Sequence, residues 1–413
     1  MDDRSALAVG VYRRYLASRA VAMAGNALTL VALPVLVYRL TGSATLTALM
    51  AAAETAPYLL LGLPAGALVD RWNRRRVLVG AGLGAGLLLA TIPLAEVAGA
   101  LTYPHLLVVG LAVAALFVFA DAAAFGVVPQ MVGRARVASA TSTLVTVGTA
   151  ISVVGPLVAG VLVAVLPAAL VIGVDAACHV VAAAVVARLR WPGSEERGVR
   201  TAGATLRTDM VEGLRYLVRQ PVVRAFTFVG IGCSLAGGAV AGLVVVVGVE
   251  LVGLTAQSPR IGWLYAAGAV GTFAASLALP RLQARVGVGA ITTAGFALGT
   301  AALLLVAGSG GLVVALVGLG LFHLASTTII VNGIVVRQVV TPDALQSRVN
   351  TTARMIAWGG SPLGAALGGV LAGAAGVEWA LRAAALALVV GLCGAVAAGV
   401  PRFGRLAALT PAA

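Results

Sequence analysis

The sequence predicts an all-α integral membrane protein with twelve transmembrane helices, and three observations carry this prediction. Hydrophobic residues make up 61% of the 413 residues and charged residues only 10%, whereas about a quarter of the residues in soluble domains are charged. Apolar runs of about 20 or more residues, the length that crosses ~30 Å of hydrocarbon, occur twelve times. The arginines are concentrated in alternate connections between these runs.

The twelve apolar runs define the predicted helices, numbered here as spans 1 to 12. Their approximate boundaries are 13–39, 44–68, 76–98, 104–130, 138–165, 168–189, 222–249, 257–280, 288–308, 311–339, 347–373 and 377–400. The longest hydrophilic stretch, 190–221, divides them into six and six. We therefore expect an N-terminal six-helix bundle over 1–189, a cytoplasmic linker over 190–221 with an amphipathic helix on the inner membrane surface, and a C-terminal six-helix bundle over 222–413.

The distribution of arginine predicts the orientation in the membrane. Of the 28 arginines, 23 lie at the two termini, in the 2–3, 4–5, 6–7, 8–9 and 10–11 connections, or at the adjoining helix ends. The positive-inside rule then places both termini in the cytoplasm. We expect a multi-pass protein of the bacterial cytoplasmic (inner) membrane. The net charge of +14 reflects this topology, so the expected partner is the lipid bilayer and not nucleic acid.

Lysine is absent from the sequence. A Walker A loop and a retinal Schiff base both require lysine, so the chain contains neither device. The three cysteines, Cys178, Cys233 and Cys393, lie in separate apolar spans, as small core residues do, and predict no metal site. No cofactor is expected, and the chain is not expected to be an enzyme. Its work is expected to depend on an ion gradient, a partner ATPase or the gradient of the substrate itself.

A basic connection, named here the arginine loop (residues 66–76), joins spans 2 and 3. It reads Gly66-Ala-Leu-Val-Asp70-Arg71-Trp-Asn-Arg74-Arg75-Arg76. Gly66 predicts a close approach of two helices, and Asp70 is expected to pair with the basic cluster or to face a helix N-terminus. The pattern G-x-x-x-D-R-x-x-R-R-R resembles the helix 2–3 loop motif of the major facilitator superfamily, with Asn73 where that motif usually has glycine.

The resemblance continues in span 5, where Gly155-Pro156-Leu-Val-Ala-Gly160 is similar to the Gly-Pro motif of superfamily antiporters. Other stretches look like the bacterial branch that contains macrolide-efflux and enterobactin-exporter proteins. The resemblance implies the major facilitator fold, in which two six-helix bundles alternate between inward-open and outward-open states. It also implies proton-coupled antiport of a small hydrophobic or amphipathic compound, such as a drug, an antibiotic or a siderophore.

The same resemblance implies a conformational latch. In the resembling family, an acidic residue in helix 4 pairs with the loop arginine and holds one conformation. The corresponding acid here is Asp121, and the expected latch consists of Gly66, Asp70, Arg71, Arg74 and Asp121. A proton-carrying role for Asp121 is the alternative.

Two further acidic residues lie inside predicted spans, where a carboxylate is costly unless it is paired or hydrated. Glu54 lies near the middle of span 2, with no arginine predicted at its depth, so it is a candidate proton carrier; the alternative is a structural glutamate. Asp175 and His179, at positions i and i+4 of span 6, share one helix face. They form either a proton-accepting pair or a pair that satisfies itself in the core.

Polar and aromatic side chains inside the spans are candidates for a substrate cavity. They are Asn26, Tyr58, Phe228, Trp263, His323 and Trp358. Packing in the core or exposure to lipid is the alternative for the aromatic residues, and a hydrogen-bonded core position is the alternative for His323. The expected partners are a small-molecule substrate and protons, and we expect a monomer.

Two other classes of function stay open at this point. A uniporter or importer of a small metabolite in the same fold needs no carboxylate in the middle of the membrane. A non-transporting membrane scaffold or receptor needs a recognisable surface outside the membrane, and no segment outside the predicted spans exceeds about 30 residues.

Overall fold

The computed structural model of this chain describes residues 6–69, 71–191, 206–342 and 345–406. Within these ranges the chain forms α-helices and no β-strand, which confirms the all-α fold class. The helices are α1 (Gly10–Thr41), α2 (Ala44–Val69), α3 (Arg74–Val97), α4 (Tyr103–Val132), α5 (Val137–Val165), α6 (Ala168–Arg188), α7 (Leu206–Arg219), α8 (Pro221–Val246), α9 (Arg260–Arg285), α10 (Val288–Ala307), α11 (Leu312–Val340), α12 (Gln346–Trp358), α13 (Gly360–Ala375) and α14 (Val377–Ala397).

Twelve stretches of the described residues are long and apolar enough to cross a membrane, as predicted. Span 11 differs in detail, because the predicted single helix over 347–373 is two helices that meet at Gly359. The apolar stretch there begins at Met355. Pro362 lies in the first turn of α13, where backbone N–H groups have no partner within the helix. Its lack of an N–H group therefore costs no helical hydrogen bond. The polar α12 therefore precedes a shorter membrane-spanning helix.

The start of α3 explains the asparagine in the arginine loop. Asn73 is the N-cap residue, with extended backbone angles, and its side-chain oxygen accepts a hydrogen bond from the Arg76 backbone N–H at 2.9 Å. Asparagine is among the best N-cap residues because its short side chain reaches an otherwise unpaired N–H group. Asn73, which stands where the family motif usually has glycine, thus caps the N-terminus of α3.

The described residues belong to two compact units. Unit 1 contains those of 1–41, 56–202 and 257–262, and unit 2 contains those of 42–55, 203–256 and 263–413. These units differ from the predicted bundles, 1–189 and 222–413, in the two short segments 42–55 and 257–262. Both differences lie at the ends of membrane-spanning helices.

Small residues explain why the beginning of α2 belongs to unit 2. The Thr45 hydroxyl donates a hydrogen bond to the Gly369 carbonyl of α13 at 2.9 Å. Ala48 lies directly against Gly242 of α8 and Gly369. Helices with small side chains approach closely enough for such contacts, which is a common mode of helix packing in membranes.

The linker helix α7 packs against its neighbours through Tyr216 and Leu217. Leu217 is fully buried and forms a cluster with Val223, Val349 and Ala353. The Tyr216 hydroxyl donates to the Val340 carbonyl at 3.2 Å. Leu214 remains exposed. The helix thus has one face on the protein and leaves apolar side chains on another, as an amphipathic helix at a membrane surface does.

Candidate functional site

A buried polar network joins α6 to α1 inside unit 1. Asp175 is only 1% exposed and His179 only 4%. The Thr29 hydroxyl donates a hydrogen bond to Asp175 Oδ2 at 2.5 Å. His179 Nε2 lies 2.9 Å from Asn26 Oδ1 and 3.4 Å from Asp175 Oδ1. We call these four residues the Asp175 network.

The helix geometry brings these four side chains together. Asp175 and His179 are one turn apart on α6, and Asn26 and Thr29 are three residues apart on α1, so each pair lies on one helix face. Gly25 allows the two helices to approach closely, because a Cβ atom at this position would overlap the Asp175 carboxylate and Cys178. The predicted Asp175–His179 pair is therefore present, and α1 supplies two partners for it.

The chemistry of the network suits reversible proton binding. Asn26 Oδ1 is an acceptor, so His179 Nε2 carries a hydrogen, and the same nitrogen lies 3.4 Å from Asp175 Oδ1. Asp175 Oδ1 accepts no hydrogen bond from a described residue. Among the described residues, no arginine forms an ion pair with Asp175. A carboxyl group in this setting has one oxygen free for a proton and no fixed cation that keeps it ionised.

A small cavity lies beside His179, between α1, α3, α4 and α6. The polar side chains in its lining are Tyr15, Ser18, Arg19 and His179, and Phe117 packs edge-on against the imidazole with ring centroids 5.5 Å apart. The other lining residues are alanine, glycine, leucine and valine. His179 thus stands between the cavity on one side and Asp175 on the other.

The arginine loop anchors α3 to two neighbouring helices. The Arg74 guanidinium lies against Gly126 of α4 and donates to its carbonyl at 3.4 Å. Arg75 donates to the Ala187 carbonyl of α6. Arg71 and Asp121 are both exposed. Asp70 lies outside the described residues, so its part in the predicted latch stays a prediction.

Gly66 has open space around it in the described structure. No side chain and no atom of another described segment lies within 4 Å of the position that a Cβ atom would occupy there. Among the described residues, no helix approaches Gly66 closely, so its part in the predicted latch stays a prediction. The close approach occurs instead at Gly126, where a Cβ atom would overlap the Arg74 guanidinium.

Glu54 lies in the part of α2 that belongs to unit 2, and it is half-buried. Its carboxylate interacts electrostatically with the Tyr265 hydroxyl of α9. That hydroxyl is buried and has no hydrogen-bond partner among the described residues. Tyr265 was not among the residues that the sequence singled out, because nothing in its local pattern relates α9 to α2.

The residues of the Gly-Pro motif make close contacts with α1 and with the start of α9. Gly155 of α5 lies directly against Ala27 of α1. Gly160 lies against the Pro259 carbonyl and Gly262, and Gly262 in turn lies against the Pro156 carbonyl. A side chain on Gly160 or on Gly262 would overlap these backbone atoms. The motif therefore fits α5 against the first residues of α9.

The residues predicted for a substrate cavity have different surroundings within their own units. Asn26 belongs to the Asp175 network. Tyr58, Phe228 and Trp263 are exposed. The His323 ring packs against Gly268 of α9 and edge-on against Phe322. The Trp358 side chain lies outside the described residues. A ligand site built from this set stays a prediction.

Two polar residues of the site were not identified from the sequence. Thr29 holds Asp175, and Arg19 lines the cavity beside His179. A signal was present, because Arg19, Asn26 and Thr29 are spaced by seven and three residues and so share one face of α1.

Among the described residues, no group of three or more His, Cys, Asp or Glu side chains is placed to hold a metal ion.

Replacing Arg74 with alanine is expected to lower the transport rate about tenfold, because a hydrogen bond to a charged group contributes ~1.5–3 kcal/mol to one conformation. The measurement is the initial rate of dye transport in membrane vesicles that contain equal amounts of protein. Arg76→Ala is the matched control, since Arg76 lies in the same loop but its side chain is exposed. Equal rates for the two variants would show that Arg74 is not part of a latch.

A family profile and a curated relative both match nearly the whole chain. The profile of a family described as transmembrane secretion effector matches residues 4–411. A curated relative, the multidrug efflux pump Tap of Mycolicibacterium fortuitum, is 30% identical over 396 residues, which cover 93% of this chain and 94% of the relative.

Solved structures of transporters have the same fold. A bacterial homologue of the human lysosomal transporter Spinster, inward-facing and occupied, has a TM-score of 0.76 at 14% identity, covering 94% of this chain and 96% of that one. The nucleoside transporter NupG has a TM-score of 0.78 at 13% identity, covering 94% and 99%. At these identities the likeness concerns the fold alone.

Proposed function

We propose that this chain, which belongs to the transmembrane secretion effector family of the major facilitator superfamily, is a secondary active exporter. It is a multi-pass membrane transporter of the major facilitator type, with a multidrug efflux pump among its relatives. The proposed activity is the export of a small hydrophobic or amphipathic compound in exchange for protons, by alternating access. The chain acts as a monomer in this proposal.

The observation that carries the proton coupling is the Asp175 network. A carboxyl group inside a membrane-spanning helix is costly in its charged form unless it is paired or hydrated. Asp175 has one hydroxyl donor, one histidine neighbour and no arginine partner among the described residues. In the proposed cycle, Asp175 holds a proton in one state and releases it in the other, and His179 passes the proton between Asp175 and the cavity.

Glu54 is the second candidate for the coupling group. Its carboxylate is half-buried in a membrane-spanning helix and interacts with the Tyr265 hydroxyl, which has no other partner among the described residues. Its side chain is more exposed than that of Asp175, and no hydrogen bond from a described residue holds it. We therefore place the coupling proton on Asp175 and treat Glu54 as the comparison.

The test of proton coupling uses purified protein in proteoliposomes, with ethidium and the neutral dye Nile red as probes. One pH unit corresponds to about 1.4 kcal/mol per proton, which drives about tenfold accumulation at one proton per substrate. We expect an acidic vesicle interior to drive uptake of at least one of the probes, and nigericin to abolish it. Uptake that is independent of the gradient would support the uniporter alternative, and absence of any uptake would support the scaffold alternative.

The proposed location is the bacterial cytoplasmic membrane, with both termini inside. In a variant without Cys178, Cys233 and Cys393, a cysteine at Ser194 is expected to react with an impermeant maleimide only from the cytoplasmic side. A cysteine at Ser258, two residues before α9, is expected to react only from outside. Reversed labelling would contradict the orientation that the arginine distribution predicts.

A further inference from the structure

Arg19 is a charged residue inside a membrane-spanning helix that the proposed mechanism does not use. It lies nine residues after the first residue of α1, Gly10, which is about 14 Å along the helix. Its side chain is half-buried and lines the small cavity beside His179. A cation at such depth is costly unless it is paired or hydrated, so the contents of this cavity must compensate its charge.

Two buried hydroxyl groups face the cavity together with Arg19. Tyr15, Ser18 and Arg19 lie at positions i, i+3 and i+4 of α1, so they share one helix face, and all three line the cavity. Tyr15 is only 1% exposed and Ser18 only 3%. Neither hydroxyl group has a hydrogen-bond partner among the described residues, although buried polar groups normally have one. One wall of the cavity therefore carries three side chains with unused hydrogen-bond donors.

The other walls supply no negative charge. His179, on α6, lines the cavity, but its Nε2 atom is engaged by Asn26 Oδ1 at 2.9 Å. The lining residues from α3 and α4 are apolar. Among the described residues, no Asp or Glu belongs to the lining, and no ion pair holds Arg19. The donors of α1 thus face a space that lacks an anionic partner.

The size of the cavity limits what it can hold. Its volume is about 50 Å³, and a single water molecule needs about 10–15 Å³ measured in this way. The cavity therefore has room for three or four atoms of that size. Drug-sized ligands occupy pockets of about 300 Å³ or more, so a whole drug molecule does not fit.

We propose that this cavity binds one small monovalent anion, held by the Arg19 guanidinium and the hydroxyl groups of Tyr15 and Ser18. The shared chemistry is a compact negative charge that accepts several hydrogen bonds, as in chloride or the carboxylate of a small acid. Such an anion satisfies all three donors and neutralises a partly buried cation. The site is separate from the export of a drug-sized compound, and it requires no proton coupling.

Water alone is the competing occupant. Water molecules would satisfy the hydroxyl groups of Tyr15 and Ser18, but they would leave the guanidinium charge without a counter-charge among apolar walls. The two occupants make different predictions, because only an anion is displaced by another anion and lost with the arginine.

The test is chloride binding by the purified protein in detergent, without dye and without a gradient. Gluconate replaces chloride at constant ionic strength, the chlorine NMR line width reports bound chloride, and formate is the competing carboxylate. For the wild type we expect line broadening that saturates with chloride concentration. In Arg19→Gln we expect the saturable part to disappear. Ser18→Ala and Tyr15→Phe, which each remove one hydrogen bond to a charged group, are expected to weaken binding about tenfold.

Arg14→Gln is the matched control. Arg14 lies on the same helix and is exposed, so this variant removes the same charge outside the cavity, and its affinity is expected to stay within about twofold of the wild type. Equal losses in Arg14→Gln and Arg19→Gln would assign the broadening to general positive charge and overturn the proposal. Unchanged binding in Arg19→Gln, or no saturable binding by the wild type, would overturn it too and leave the cavity to water.

Two further outcomes complete the test. If Arg19→Gln does not fold, Ser18→Ala and Tyr15→Phe still decide the matter, since each removes one oxygen and no charge; full affinity in both would overturn the proposal. Displacement of chloride by formate supports a site for either anion, and chloride binding that formate does not displace supports a halide site. Chloride binding in a protein that does not use a pH gradient would support this inference and reject proton-coupled export.

Discussion

Asp175→Asn is expected to abolish accumulation driven by a pH gradient while leaving substrate exchange intact. Asparagine has the size of aspartate and still accepts the hydrogen bond from Thr29, which in the wild type is 2.5 Å long. It cannot bind and release a proton. In proteoliposomes with one pH unit across the membrane, we expect the accumulation ratio to fall from about ten to about one. Exchange of internal for external ethidium, which needs no net proton movement, is expected to continue.

Glu54→Gln is the matched comparison, because it removes the other candidate carboxylate and keeps its size. If Asp175 carries the proton, this variant accumulates ethidium as the wild type does. The reverse pattern, with accumulation lost in Glu54→Gln and retained in Asp175→Asn, would place the coupling site on α2. A structural role for either acid predicts a lower folding yield, with export reduced in proportion.

Gly160→Ala is expected to reduce the transport rate at least tenfold. A Cβ atom at this position would overlap the Pro259 carbonyl and would lie only 3.0 Å from the backbone of Gly262. Inserting atoms into a filled contact typically costs ~1–3 kcal/mol. Because this cost applies only to conformations in which the contact forms, it shifts the equilibrium between conformations of the transporter. The measurement is the initial rate of gradient-driven dye uptake at equal protein content.

Gly394→Ala is the control for this prediction. Gly394 lies in α14, and nothing is within 4 Å of the position of its added Cβ atom. Alanine favours a helix over glycine by about 1 kcal/mol, so both variants gain helix propensity, and only Gly160→Ala is expected to lose transport. Gly262→Ala, on the other side of the contact, is expected to behave as Gly160→Ala does. A full transport rate in Gly160→Ala would remove this contact from the conformational cycle.

The membrane-spanning helices were predictable because their signal is local. An apolar run of sufficient length needs no knowledge of its neighbours, and the structure has twelve of them among the described residues. The break in span 11 was missed because Gly359, Gly360 and Pro362 lie inside a run whose average hydropathy remains high. Hydropathy reports burial in lipid, and it says little about helix direction.

The candidate site was predictable only within single helices. Asp175 and His179 share a face of α6 because of their spacing, so their pairing followed from the sequence. The hydrogen bond from Thr29 and the contact of His179 with Asn26 depend on how α1 packs against α6, which no local pattern specifies. The position of the Arg74 side chain was not predictable for the same reason. Its guanidinium lies against Gly126, whereas Asp121, the partner that the family resemblance implied, is exposed.

Proton release on substrate binding tests the central claim most directly. Purified protein in weakly buffered detergent solution is mixed with ethidium or Nile red, and the pH change is read from a soluble indicator. If substrate and a proton on Asp175 exclude one another, the wild type releases up to about one proton per molecule at pH values below the midpoint of the Asp175 titration, and Asp175→Asn releases none although it binds the probe. Equal release by the wild type and Asp175→Asn, or probe binding by the wild type with no release at any pH, would contradict the account.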